Sequence, residues 1–153
     1  MSIKSHEILI LDGACGSTLQ TMTVPASAWG EHEGCNEWLN ISAPEIVQEL
    51  HSKFFAVGSM AVETNTFGAS SIVLEEYGLA DRVDEINRAA VDNARKAISL
   101  CAKGRGYVVG SMGPTTKLPS LGHISVDKMH AAYREQALSL IDAGVDALLI
   151  ETC

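Results

Sequence analysis

The chain has 153 residues, of which 46% are hydrophobic and 20% charged, so it has apolar material for the core of one domain and is not a disordered chain. Its net charge of −8 and its scattered basic residues argue against nucleic-acid binding, which needs clustered Lys and Arg. No apolar run is long enough to span a membrane, and residues 1–7 lack the apolar core of a secretory signal, so we expect a cytoplasmic protein.

The four cysteines, Cys15, Cys35, Cys101 and Cys153, show no CxxC spacing. In a chain of cytosolic character this pattern argues against a disulfide framework. We therefore expect reduced thiols in small buried or loop positions, and we assign none of them to a metal site.

The first predicted element is a strand at residues 7–12, EILILD. A continuous apolar run that closes on Asp12 and Gly13 is typical of a strand buried on both faces of a parallel sheet. The pattern places a carboxylate at the C-terminal end of this strand.

The next predicted element is a helix over residues 42–58. Ser42 and Glu45 have the spacing of a capping box, and Pro44 stands in the first turn, where its missing N–H is not needed. Apolar residues recur on one face of this segment, and Gly58 is placed to end the helix.

The rest of the chain continues the alternation of strands and helices. We predict strands at residues 60–67, 106–114 and 145–153, and helices at residues 81–104 and 125–144. Asp81 and Ser125 are the expected N-cap residues of the two helices, and Gly144 is expected to end the second. No linker or low-complexity segment interrupts this pattern, which predicts one continuous βαβαβαβ unit.

Short strands that alternate with long amphipathic helices indicate the α/β class with a parallel sheet. A doubly wound sheet is disfavoured because DGACGST, residues 12–18, fits neither the GxGxxG nor the P-loop pattern. A (β/α)8 barrel is favoured because polar residues follow every predicted strand, where barrel active sites lie. Since such a barrel takes roughly 250 residues, we expect residues 1–153 to be its N-terminal half, with four strands and three helices, and the remainder to lie outside this sequence.

Several motifs, in this order, resemble one known family. They are ILDGACGSTLQ (10–20), GCNEWLN (34–40), ETNTF (63–67), GSMGPTT (110–116) and LLIET (148–152). Together they resemble the homocysteine-binding barrel of cobalamin-dependent methionine synthase and related homocysteine S-methyltransferases. The combination is far more specific than any one motif, and the similarity extends nearly from end to end.

The resemblance implies a methyltransferase that acts on homocysteine and forms methionine. In this family a zinc ion held by three cysteines activates the homocysteine thiol, and methylcobalamin is the methyl donor in the methionine synthase branch. Those cysteines belong to the second half of the barrel, so the resemblance implies no zinc ligand in residues 1–153 and an inactive chain when it is isolated. Corrinoid and folate domains or proteins are the further partners that it implies.

The resemblance also implies which residues hold the amino-acid end of homocysteine. In the family, an acidic residue of the first motif and a glutamate of the last hold the substrate ammonium, and these match Asp12 and Glu151. The chemistry agrees, because a buried ammonium needs carboxylate partners.

The substrate carboxylate needs hydrogen-bond donors instead. Gly13 and Gly16 are candidates, since backbone N–H groups can approach a ligand closely where no Cβ intervenes. Glu63, Asn65 and Thr66 also face the expected barrel mouth. The predicted substrate-binding residues are Asp12, Gly13, Gly16, Asn65, Thr66 and Glu151, and none is assigned as catalytic.

Two other classes stay open at this point. A different barrel enzyme, such as an aldolase or a pterin-dependent methyltransferase, explains the polar strand ends but not CNxxLN followed by ETNTF. A non-catalytic binding or assembly module derived from the same barrel explains a chain without zinc ligands.

Overall fold

The computed structural model describes residues 3–5, 7–101 and 105–152. Within them, a parallel sheet has the strand order β1 (Ala61–Glu63), β2 (Tyr107–Met112) and β3 (Ala147–Ile150). In the register, Glu63 lies opposite Val109. The predicted parallel β/α alternation is confirmed.

The α-helices of the described residues are α1 (Cys15–Thr21), α2 (Ala26–Trp29), α3 (Leu39–Ser42), α4 (Pro44–Ala56), α5 (Ser71–Leu74), α6 (Val83–Cys101) and α7 (Val126–Ala143). Short 3-10 turns occur at Ile3–Ser5, Asn36–Trp38, Glu75–Tyr77, Ala80–Arg82 and Pro119–Leu121. The long helices α4, α6 and α7 follow one another along the sheet, and α6 packs against both of the others. In the described part of the chain, no helix is both long and apolar enough to cross a membrane.

The main core lies between the sheet and the three long helices. Its buried members are Phe55, Val62, Val91, Ala94, Ala97, Ile98, Val108, Met112 and Leu140. Alanines at the buried positions of α6 let this helix approach its neighbours closely, and the larger residues of β1, β2 and α7 fill the remaining space. A well-packed core therefore supports the C-terminal ends of the strands.

The predicted first strand is not observed. The backbone O atom of Ile10 accepts the N–H groups of both Met60 and Ala61, at 2.8 and 3.2 Å, so the segment does run beside β1. The next contact, however, comes from the Asp12 side chain, which accepts the N–H of Glu63 in place of a backbone carbonyl. Because a side chain replaces the next rung, no regular ladder forms and residues 9–14 have no regular secondary structure.

The predicted caps of two helices also differ from those observed. Ser42 is the last residue of α3, where its hydroxyl donates to the backbone O of Trp38, and Ala43 precedes α4 without a side-chain cap. Asp81 lies inside a 3-10 turn, and α6 begins only at Val83. Both differences arise because an extra helical turn precedes each long helix and takes up the residue that the spacing assigned as its cap.

The predicted ends of α4 and α7 are confirmed. Gly58 and Gly144 have φ values of +107° and +89°, which are accessible to glycine without strain. Ser125 caps α7 by accepting the N–H of Lys128 at 3.3 Å. The predicted end of the last strand at Cys153 lies outside the described residues.

Candidate functional site

A cavity of about 250 Å³ opens at the C-terminal ends of the strands. It is lined by Ala14, Cys15, Gly16, Asn36, Glu37, Glu63, Thr64, Asn65, Phe67, Ser111 and Glu151. These residues come from the start of α1, from the 3-10 turn at Asn36–Trp38 and from the exits of all three strands. The cavity thus collects the polar residues that the sequence places after each strand.

Three carboxyl groups meet at this edge of the sheet. Both oxygens of Asp12 accept the backbone N–H of Glu63, at 3.0 and 3.1 Å. The Glu63 side chain lies beside that of Glu151, whose charge acts on it, and the Ser111 hydroxyl donates to Glu151 Oε1. Since Glu63 ends β1, Ser111 lies in β2 and Glu151 follows β3, the order of the strands brings these groups together.

The carboxyl groups are held in a poorly solvated and negatively charged environment. Burial raises the pKa of Asp12 to about 7, and the charges of Glu63 and Glu151 act in the same direction. Burial also raises the pKa of Glu63, together with the charge of Glu151. Among the residues that the structure describes, no Lys, Arg or His side chain lines the cavity. This arrangement favours a ligand that brings its own positive charge.

The exit loop of β1 is fixed to β2 by threonine hydroxyls. The Thr64 and Thr66 hydroxyl oxygens lie 2.6 Å apart, and the Thr66 hydroxyl donates to the backbone O of Ser111 at 2.7 Å. The N–H of Ser111 donates in turn to Thr64 Oγ1 at 3.1 Å. The hydroxyl of Thr66 is therefore used inside the protein, and Thr66 is fully buried.

Asn65 connects this loop to the opposite wall of the cavity. Its Nδ2 donates to the backbone O of Asn36 at 2.7 Å, and its Oδ1 accepts a contact from the Cys15 thiol at 3.4 Å. Its own backbone O accepts the side-chain amide of Asn40 at 2.7 Å. Asn65 is thereby held in one orientation at the cavity wall.

The structure brings together only some of the residues predicted to bind substrate. Gly16, Asn65 and Glu151 line the cavity, and Asp12 lies within electrostatic reach of Glu151. Gly13 does not line it; a Cβ there would lie 3.3 Å from the Phe54 ring, so its glycine relates to packing against α4.

Two cavity residues, Glu37 and Ser111, were not among the substrate-binding residues predicted from the sequence. Ser111 is the penultimate residue of β2, and a lone serine in an apolar strand is usually only a small core residue. Glu37 lies between Cys35 and Leu39, which are both buried and are of residue types that usually are. A glutamate between two such residues is the feature of the sequence that could have indicated a buried carboxyl group. Only the fold shows that both side chains reach the same space.

The described residues do not fit a zinc site. Within residues 3–5, 7–101 and 105–152, no group of three or more His, Cys, Asp and Glu side chains is placed to hold a metal ion. Burial, with the charge of Glu37, raises the pKa of Cys15 and of Cys35 to about 12. Both thiols are therefore protonated near neutral pH when no metal is bound.

Fold and site together define an α/β protein with an acidic cavity at the C-terminal ends of parallel strands. A family model described as homocysteine S-methyltransferase matches residues 9–153. The chain belongs to this family, and the resemblance found from its motifs is confirmed.

Two relatives are methionine synthases. The chain is 41% identical over 155 residues to the protein from Mycobacterium tuberculosis (strain ATCC 25618 / H37Rv), a match that covers 100% of this chain and 13% of the relative. It is 38% identical over 151 residues to the protein from Mycobacterium leprae (strain TN), with 97% and 12% covered. The chain therefore spans only a small part of the length of these relatives.

Solved structures of the homocysteine methyltransferase MmuM from Escherichia coli have a similar fold. The metallated form matches with a TM-score of 0.75 and 26% identity, over 98% of this chain and 55% of that chain. The oxidized form matches with a TM-score of 0.71 and 24% identity, over 95% and 53%. The predicted fold class, the first part of this family's barrel, is confirmed.

Proposed function

We propose that residues 1–153 form the amino-acid-binding part of a homocysteine S-methyltransferase, in which a methyl group is transferred to the thiol of homocysteine to form methionine. The observation that carries this proposal is the cluster of Asp12, Glu63 and Glu151. No basic residue of the described chain lines the cavity beside it. The ammonium of homocysteine supplies the positive charge that this cluster favours. The family match and the names of the relatives support the same substrate.

In this proposal, different residues of the site bind different groups of the substrate. Asp12 and Glu151 accept hydrogen bonds from the ammonium, and the N–H group at Gly16, which lines the cavity, donates to the substrate carboxylate. Asn65 lies at the wall, held by Asn36 and Cys15. Thr66 contributes through the loop that it fixes to β2, because its hydroxyl already has partners inside the protein.

The activating metal and the methyl donor are further parts of the proposal. Zinc would bind and activate the homocysteine thiol, through cysteines that the family pattern places outside this sequence. Methylcobalamin is the donor that we infer from the methionine synthase branch, with corrinoid and folate domains or proteins as partners. The cytoplasm is the location that we infer from composition.

Glu151→Gln in the full-length protein tests the role of this carboxylate. The substitution preserves size and hydrogen bonding but removes the charge, so homocysteine binding should weaken by about 1.5–3 kcal/mol, as for a charge-assisted hydrogen bond. Calorimetric titration with homocysteine measures this loss. Metal content should stay at the wild-type value.

Propane-1-thiol, which lacks the amino and carboxylate groups, is the comparison ligand, and its affinity should be nearly unchanged in Glu151→Gln. Glu31→Gln, at an exposed carboxylate, is the matched control and should bind both thiols as the wild type does. Equal losses for both thiols in Glu151→Gln would show that Glu151 is structural and would reject the proposed site.

A further inference from the structure

Glu37 is a buried carboxyl group whose place in the fold is set by its neighbours. It lies in the 3-10 turn between Cys35 and Leu39, both fully buried, and it is itself only 9% exposed. On the other side of the turn, the Trp38 ring lies 4.7 Å from the Arg82 guanidinium. The turn therefore packs Trp38, partly buried, against a neighbouring hydrophobic cluster and directs Glu37 into the cavity wall.

The Glu37 carboxyl makes one short contact with the β1 exit loop. Its Oε1 accepts the N–H of Gly68 at 2.7 Å, in a buried position. A Cβ at residue 68 would lie 2.9 Å from this oxygen and 3.2 Å from Val73 Cγ1. The hydrogen bond therefore requires both an acceptor at residue 37 and a glycine at residue 68.

Gly68 lies in the loop over residues 64–70, between β1 and α5, and this loop contributes residues to the cavity lining. Asn65 and Phe67 both line the cavity. The loop is further held by the N–H of Gly113, which donates to the backbone O of Phe67 at 3.0 Å, and by Asn40, whose amide donates to the backbone O of Asn65. The contact from Glu37 holds the part of the loop that directly follows Phe67.

We propose that Glu37 is a positioning residue for homocysteine, whose carboxyl oxygen holds the N–H of Gly68 and so fixes the loop that carries Asn65 and Phe67 into the cavity. This inference rests on the proposed function. Burial raises the pKa of Glu37. A carboxyl oxygen accepts the same hydrogen bond whether or not the group is protonated, so this role does not depend on the charge.

Two substitutions in the full-length protein separate positioning from charge. Glu37→Gln retains an acceptor oxygen and should bind homocysteine within about twofold of the wild type. Glu37→Ala leaves the buried N–H of Gly68 without a partner and should weaken homocysteine binding roughly tenfold, while propane-1-thiol binding stays unchanged. Glu33→Ala, at an exposed glutamate in the same segment, is the control and should match the wild type.

Hydrogen exchange of the Gly68 amide gives a readout that needs no ligand. This amide should be protected in the wild type and in Glu37→Gln, and should exchange faster in Glu37→Ala. If Glu37→Ala does not fold, Gly68→Ala disturbs the same contact from the other side and should show the same loss of homocysteine affinity.

Three results would overturn the inference. They are a loss in Glu37→Gln as large as in Glu37→Ala, an equal loss for both thiols, and unchanged homocysteine affinity in the alanine variants. A wild-type protein that binds no homocysteine would overturn the proposed function and this inference together, so the two failures are distinguishable.

Discussion

At the scale of single residues, two effects act in opposite directions on the pKa of Asp12. Its carboxyl group accepts the backbone N–H of Glu63, a contact that favours the charged form. Burial nevertheless raises its pKa to about 7, with the charges of Glu63 and Glu151 adding to the effect. Without a cation in the cavity, Asp12 is therefore partly protonated near neutral pH, and an ammonium group has to displace that proton.

This competition predicts how homocysteine binding depends on pH. Affinity should increase as the pH rises through about 7, because Asp12 must be charged to pair with the ammonium. Asp12→Asn should bind homocysteine more weakly and lose this increase. Calorimetric titration from about pH 6 to about pH 8 measures both effects, and propane-1-thiol separates them from titration of the thiol.

Asp12 should affect the free energy of unfolding in the opposite direction, lowering it as the pH rises. Since folding raises the pKa of Asp12 from 3.8 to about 7, the folded state favours the protonated form. Its contribution to stability is present at low pH and decreases as the pH rises through this range. A wild-type affinity for homocysteine that stays constant from about pH 6 to about pH 8 would contradict the role given to Asp12.

At the scale of single elements, the N-terminus of α7 provides a test of the helix caps. Ser125→Ala removes the acceptor for the N–H of Lys128 and should lower the free energy of unfolding by about 1 kcal/mol. Ser42→Ala is the matched control, because Ser42 does not cap α4, and it should change stability by less than about 0.5 kcal/mol.

Urea unfolding of the full-length protein, followed by circular dichroism, measures the difference between these variants. A larger loss for Ser42→Ala than for Ser125→Ala would mean that the capping box predicted from the sequence forms in solution after all.

At the scale of the whole molecule, the sheet has apolar residues at both of its edges that contact solvent. Ile8 and Ile10, beside β1, are 75% and 54% exposed, and Ile150 at the end of β3 is 67% exposed. An open edge of a parallel sheet offers N–H and C=O groups that can pair with other chains, and β3 is the edge that no further described strand covers. The 153-residue chain, prepared alone, should therefore self-associate.

Sedimentation velocity of the isolated chain tests this expectation. Ile150→Lys should reduce the association because a charge on the edge strand opposes pairing. Val57→Lys is the control: Val57 is 82% exposed but follows α4 and belongs to no strand, so the change should have little effect. A monodisperse wild-type monomer at every concentration would contradict the prediction.

The sequence by itself determined the class of the fold, the family and the acidic end of the last strand. Hydrophobic periodicity is local, so it predicted the helices that became α4, α6 and α7 and placed Glu151 directly after a strand, whereas the strand predicted before Asp12 is not observed. Glycines at the ends of α4 and α7 were predictable for the same reason, since left-handed backbone geometry needs no distant partner.

Only the tertiary structure decided which polar groups meet. The strand order brings Glu63, Ser111 and Glu151 together from three separate elements, and the turn that holds Glu37 reaches Gly68 across 31 positions of the chain. The Asp12 carboxylate also replaces a rung of the ladder expected beside β1. Such contacts depend on distances between elements, and the spacing of residues along the chain carries no information about them until the elements pack.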